Sequence, residues 1–221
     1  MKLRTRPTEL AGVVATLLAS TCTAGAHPHV FAEAQLNVSL SSDKTTVKTL
    51  RHLWRFDELF SSTVTMEFDK NSDLQLDVAE MRAVSETIYA SLADYNYFQI
   101  VTVDGKDVAM KAPASLSVQF DNGQLVVSFE SEPKTPLALS GKVDFGVYDP
   151  TFYTAIDFVT DDKIAVDGLP SSCERTVLRP SAEDAIAQNQ SKLTDAFFND
   201  PTGTNMAKIF ATKLELNCKA G

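Results

Sequence analysis

Histidine and cysteine are scarce in this chain, and what is missing narrows its chemistry. Three histidines and three cysteines occur in 221 residues, and no two cysteines lie at the short spacing of a thiolate metal site. There is no Gly-x-Ser-x-Gly, no phosphate-cradling glycine loop and no His-Glu-x-x-His, which removes the nucleophile-elbow, P-loop and zincin readings. General acid–base and nucleophilic catalysis then lack obvious players, and an enzyme is not expected. The one enzymatic route left is copper oxidation at an N-terminal histidine. Positive charge is also in deficit: 20 Lys and Arg stand against 29 Asp and Glu, for a net −9. Such a protein is a poor partner for nucleic acid or an anionic membrane and a good host for cations.

No apolar run is long enough to span a bilayer as a helix. The nearest approach is Ala11 to Ser20, preceded by Lys2, Arg4 and Arg6 and followed by Ala24-Gly25-Ala26. This is the charged, apolar and small-residue succession of a secretion signal over residues 1–26. Export to the periplasm and a single β-rich domain over 27–221 are the expectations. Cys22 follows the apolar run, but Ala19-Ser20-Thr21 is a poor lipidation context. With Cys22 removed, Cys173 and Cys218 form one pair in an oxidising compartment, where a disulfide is expected. Such a bridge would contribute about 4 kcal/mol in the chain-entropy model.

Residues Asp69 to Glu80 carry the most specific pattern. Oxygen-bearing side chains recur at alternate positions of a twelve-residue stretch that closes on a glutamate, the ligand spacing of an EF-hand loop. Asp69, Asn71 and Asp73 would each give a side-chain oxygen to Ca2+ and Gln75 a backbone carbonyl. Asp77 would act through water, and Glu80 would give both carboxylate oxygens. Helical apolar periodicity flanks the loop: Phe56, Leu59, Phe60, Val64 and Phe68 before it, Val78, Met81, Val84, Ile88, Leu92 and Tyr95 after it. The sixth position is usually Gly because the turn there needs positive φ, and here it is Leu74, at a cost of about 1–2 kcal/mol. An acidic loop that binds nothing is the competing reading.

Cleavage after Ala26 would make the chain begin His27-Pro28-His29. An N-terminal amine and imidazole chelate together, and a further imidazole suits Zn2+, Ni2+, Co2+ or Cu2+. Pro28 has no N–H, so a square-planar site using backbone nitrogens is excluded. From His29 to Leu40 apolar residues alternate with polar ones, as in a half-buried strand, which puts His29 and Glu33 on the outward face. His52 shares parity with Leu50, Trp54 and Phe56, so it reads as a core residue that could still serve as a third ligand. His27, His29, Glu33 and His52 are thus the candidate transition-metal set.

The remainder reads as short strands with turn signals, Asn122-Gly123 the strongest among them. Ser181, with Glu183 and Asp184 after it, starts a C-terminal helix whose apolar face is Ala185, Ile186, Leu193, Ala196 and Phe197. The expected fold is α+β: an antiparallel β-sandwich-like domain with an EF-hand-like helix-loop-helix insertion at 56–95 and a C-terminal helix.

Four segments belong together: Ala26-His27-Pro28-His29-Val30, Leu53-Trp54-Arg55-Phe56-Asp57-Glu58, Phe68 to Glu80, and Tyr148-Asp149-Pro150-Thr151-Phe152-Tyr153. With them the chain resembles the DUF1007 family of bacterial exported proteins. The resemblance implies an association with nickel, cobalt or zinc transporters of the inner membrane. It carries over to His27, His29 and the loop acids, and assigns no catalytic residue. The expected function is a periplasmic metal-binding accessory protein, with structural calcium in the loop and a transition metal at the histidines. The alternative is a calcium-stabilised protein-interaction module.

Overall fold

The computed structural model describes residues 28–190 and 207–219. The expected signal segment 1–26, His27 and the distal apolar residues Leu193, Ala196 and Phe197 of the C-terminal helix lie outside the described residues. In chain order the elements are β1 (Val30–Leu40), β2 (Thr46–Phe56), α1 (Glu58–Phe68), α2 (Val78–Ala93), β3 (Gln99–Val103), β4 (Lys106–Asp107), β5 (Ser117–Asp121) and β6 (Gln124–Ser131). They continue with β7 (Leu137–Ala138), β8 (Gly141–Val147), β9 (Thr154–Asp157), β10 (Ile164–Val166), β11 (Cys173–Leu178), α3 (Ala182–Gln188) and β12 (Lys213–Cys218).

Two sheets account for the strands. The first runs β10-β1-β2-β6-β5, with β7 added to β2 and β9 to β1; the second runs β11-β12-β8-β3-β4. The chain is therefore of mixed α+β class. One expectation needs correction: the sheets are not wholly antiparallel, because β1 pairs in parallel with both β9 and β10. Sequence periodicity reports which face a strand buries but not the direction of a distant partner, so nothing in the alternation of β1 betrays these pairings.

β1 follows its period-two pattern closely. Val30, Ala32, Ala34, Leu36 and Val38 are buried, whereas Phe31, Glu33 and Gln35 are exposed. Facing residues of β2 and β6 complete that side: Trp54 lies opposite Ala34 and Val127, and Leu50 opposite Val38. Residues from both sheets, among them Trp54, Val127, Phe145 and Leu214, join in one hydrophobic core. The β5–β6 hairpin turns on Asn122 and Gly123, both at positive φ, as a two-residue primed turn requires.

Helix starts agree with their caps. Asp57 caps α1 through the Phe60 N–H, Asp77 caps α2 through the Ala79 and Glu80 N–H groups, and Ser181 caps α3 through the Asp184 N–H. Cys173 and Cys218 are directly opposite partners of β11 and β12 and are joined by a disulfide.

Candidate metal-binding loop and the N-terminal histidine

The loop from Asp69 to Asp77 is wound around two carboxylates. Asp69 Oδ1 accepts the N–H of Ser72 at 2.7 Å and that of Asp73 at 3.3 Å, and Oδ2 accepts the Leu74 N–H at 2.7 Å. Glu80 joins the two ends of the loop: Oε1 accepts the Lys70 N–H at 2.8 Å and Oε2 the Asp77 N–H at 2.9 Å. Asp73 Oδ1 accepts the Gln75 N–H, and Asn71 Nδ2 donates to Asp73 Oδ2. Leu74 sits at φ +63°, the left-handed conformation for which a glycine is the usual choice.

Why the loop folds this way follows from its donors. Three successive amides at 72–74 would point at nothing in a simple surface turn, and the Asp69 carboxylate collects them. The Asp77 and Glu80 pair forms a reciprocal capping box at the start of α2, which satisfies two donors at once. Glu80 is accordingly buried although charged. Among the described residues no group of three or more His, Cys, Asp or Glu side chains is gathered as a ready metal cluster. The loop acids instead spend their oxygens on backbone amides. A carboxylate oxygen that accepts one amide keeps a second lone pair, so both Glu80 oxygens and Asp69 Oδ2 retain a position from which to meet a cation.

Among the described residues, His29, Glu33 and His52 are not brought together. His29 is exposed; its N–H and that of Val30 both donate to the Tyr153 carbonyl, and its ring lies 5.4 Å from the Tyr153 ring. Glu33 lies on the same outward face, but four residues of extended chain separate the two by about 13 Å, too far for one ion. Glu33 faces Arg55 and Asp157 across its neighbouring strands. His52 is opposite Leu36 on the buried face of the sheet and fully enclosed, stacked at 4.5 Å on Phe129 and edge-on to Trp54. Its place as a third ligand is therefore corrected: the same alternation that exposes His29 and Glu33 turns His52 inward.

Burial pushes the His52 imidazole down to about 3; the Gln99 side chain beside it opposes the shift without reaching hydrogen-bond geometry. Among the described residues neither ring nitrogen has a hydrogen-bond partner. Gln99 is committed elsewhere, to the Ser131 hydroxyl and the Asn96 carbonyl. It follows a turn in which Asn96, Tyr97 and Phe98 all hold positive φ, and Phe98 stacks on Trp54.

One residue of the N-terminal environment has no role assigned from sequence. Asp149, which enters the sequence reading only within the segment Tyr148 to Tyr153, is buried, and its carboxylate gathers the Thr151 N–H and hydroxyl and the Thr154 N–H. That scaffold presents the Tyr153 carbonyl to His29 and Val30. The spacing Asp-x-Thr, which permits an Asx turn, is the signal that points to it. Beside it lies a cavity of about 290 Å3 lined by Pro28, Asp149, Phe152 and Phe210 among others.

Two packed sheets, a helix-loop-helix bound by Asp69 and Glu80, and a histidine-bearing N-terminal segment docked on an Asp149 turn define a small α+β protein of acidic surface. The chain belongs to the DUF1007 family, described as proteins of unknown function, whose family model matches residues 12–218. An uncharacterized protein of Haemophilus influenzae (strain ATCC 51907 / DSM 11121 / KW20 / Rd) is 22% identical over 202 residues, covering 88% of this chain and 92% of the relative. Among solved structures, a Capitella teleta AChBP in complex with lobeline aligns over 88% of this chain and 85% of its own at 11% identity, with a TM-score of 0.27. That score is too low to support any inference about fold or ligand.

Proposed function

We propose that this protein is an exported, periplasmic metal-binding accessory protein. Its loop takes Ca2+ through Asp69, Asn71, Asp73, the Gln75 carbonyl, Asp77 by way of water, and Glu80. The observation that supports this best is the conformation of Leu74: a bulky residue held at φ +63° while its N–H donates to Asp69. The Asp69 carboxylate draws the 72–74 amides into this turn, and it is the turn that a calcium loop requires at its sixth position. Calcium would add to the Asp69 and Glu80 carboxylates the countercharge they now draw from backbone dipoles. Its role is structural, since the loop stands alone rather than paired with a second.

A transition ion (Zn2+, Ni2+, Co2+ or Cu2+) is proposed at His27 and His29, without Glu33 or His52. His29 is anchored to Tyr153 through its backbone while its residue remains exposed, a placement that supports handing an ion to an inner-membrane metal transporter. Native mass spectrometry of the tag-free secreted protein, titrated with calcium and then zinc, nickel and copper, tests both sites. One calcium and one transition ion per chain are expected. Glu80→Gln should lose the first and His29→Ala should weaken the second by about an order of magnitude. Equal transition-metal affinity in wild type and His29→Ala would end the histidine proposal, and unaltered calcium binding in Glu80→Gln would end the other.

A further inference from the structure

We infer that the groove between the loop and the β5–β6 hairpin docks an apolar segment of a partner protein flanked by lysine or arginine. This deepens the calcium proposal and rests on it, because calcium would hold the groove wall in place. The groove encloses about 690 Å3 and is lined by Met66, Leu74, Leu76, Met81, Phe120 and Ser62 among others. Met66 is 68% exposed and Leu74 75%. Leu59 in α1 and Val78 in α2 are equally open but do not line the groove. Exposed large apolar side chains scattered singly need no explanation, but Met66 and Leu74 exposed on one concavity do.

Leu74 focuses the argument. Leucine at positive φ costs free energy that glycine would not, and its side chain gains no burial in return. Both expenditures make sense if the side chain contacts something outside this chain. Its backbone N–H is tied to Asp69 and the next residue, Gln75, is the carbonyl ligand of the proposed calcium site. An ion in the loop would therefore fix the direction in which Leu74 projects. Met66 and Met81, which line the same groove, add an adaptable, polarisable surface of the kind that accommodates varied apolar side chains.

Charge selects the kind of partner. Residues 57–94 hold nine carboxylates (Asp57, Glu58, Glu67, Asp69, Asp73, Asp77, Glu80, Glu86 and Asp94) against only Lys70 and Arg82. One bound calcium leaves that surface negative, so an apolar segment with acidic flanks, or an anionic bilayer, is repelled and one with basic flanks attracted.

The test uses the full mature chain, a synthetic leucine–lysine helical peptide and a leucine–glutamate peptide of the same length. Fluorescence anisotropy should show the lysine peptide binding in calcium, weaker binding in chelator, and no binding of the glutamate peptide. Leu74→Gly and Met66→Gln should each weaken the lysine peptide about tenfold, while calorimetry shows Leu74→Gly binding calcium at least as well as wild type. Wild-type peptide affinity in both variants overturns the groove, as does equal binding of the two peptides. A calcium-dependent dimer abolished by Leu74→Gly would instead make the occupant a second copy, and binding to phosphatidylglycerol vesicles would make it a membrane; each overturns the proposal. Peptide binding without any calcium heat would end the calcium reading and leave the groove, so the two failures are distinguishable.

Discussion

The buried face of β2 and the loop between α1 and α2 break the ordinary segregation of polar and apolar groups in opposite directions. At His52 a polar ring is sealed among Phe129, Trp54 and Leu36, with no hydrogen-bond partner for either nitrogen among the described residues. At Leu74 an apolar side chain is held outward, in a strained backbone conformation, on an acidic surface. The first violation is held in place by packing on all sides; the second is held by backbone N–H groups that donate to a single carboxylate, that of Asp69. A defect embedded in a close-packed core is rigid and expensive to relieve, whereas one on a surface loop can be relieved by one substitution. Stability should therefore respond to the His52 environment and binding to the Leu74 environment.

The largest expected effect comes from acid. In the unfolded chain an imidazole titrates near 6.5, whereas His52 in the fold is pushed down to about 3. Between these values the unfolded state binds the extra proton, so stability is full above about pH 6.5 and falls as pH drops towards 3. The slope is at most about 1.4 kcal/mol per pH unit, about 5 kcal/mol over the window. Urea denaturation across this range should show that slope, and His52→Leu, which removes the buried nitrogens at similar volume, should lose most of it. Identical pH slopes in the two proteins would show that His52 is hydrated or paired in solution.

Next in size is the disulfide between β11 and β12. Cys218→Ser should cost about 4 kcal/mol in the chain-entropy model, read as a lower denaturation midpoint with the His52 slope intact. Asp57 comes third, because its two carboxylate oxygens serve different elements: Oδ1 accepts the Phe60 N–H and Oδ2 the Phe31 N–H. Asp57→Ala should cost about 2 kcal/mol and loosen α1 on the start of β1, measurable as faster amide exchange at both Phe31 and Phe60. The smallest effect is a gain: Leu74→Gly should stabilise the protein by up to about 1 kcal/mol while impairing the groove. If it destabilises instead, the Leu74 side chain has folded-state contacts that outweigh its strain.

Much of this comparison is legible in the residues. The alternation of β1 shows that His29 and Glu33 face outward, and the parity of Leu50, His52 and Trp54 shows that His52 faces inward. The loop spacing marks Asp69 and Glu80 among six candidate ligands without setting them apart as the two organising carboxylates, and the anomaly at Leu74 is visible before any coordinates. Other features are not legible. The outward parity of His29 and Glu33 makes them look like partners, yet the rise of an extended chain separates them. β7 is two residues long and is made by pairing with β2, with no periodicity of its own to report. Asp149 looks like a turn former, and its docking of the N-terminal segment appears only when Tyr153 meets His29.

By itself, then, the sequence determined the local quantities: strand faces, helix caps, the Asn122-Gly123 hairpin and the oxygen spacing of the loop. Each depends on neighbours within a few positions, where side-chain chemistry and backbone geometry act directly. Only the tertiary structure decided that β1 lies parallel to β9 and β10, that Cys173 is directly opposite Cys218, and that Met66, Leu74 and Phe120 share one groove. Those outcomes depend on which distant segments bury their faces against each other, and many pairings satisfy the same local pattern until a close-packed core selects one.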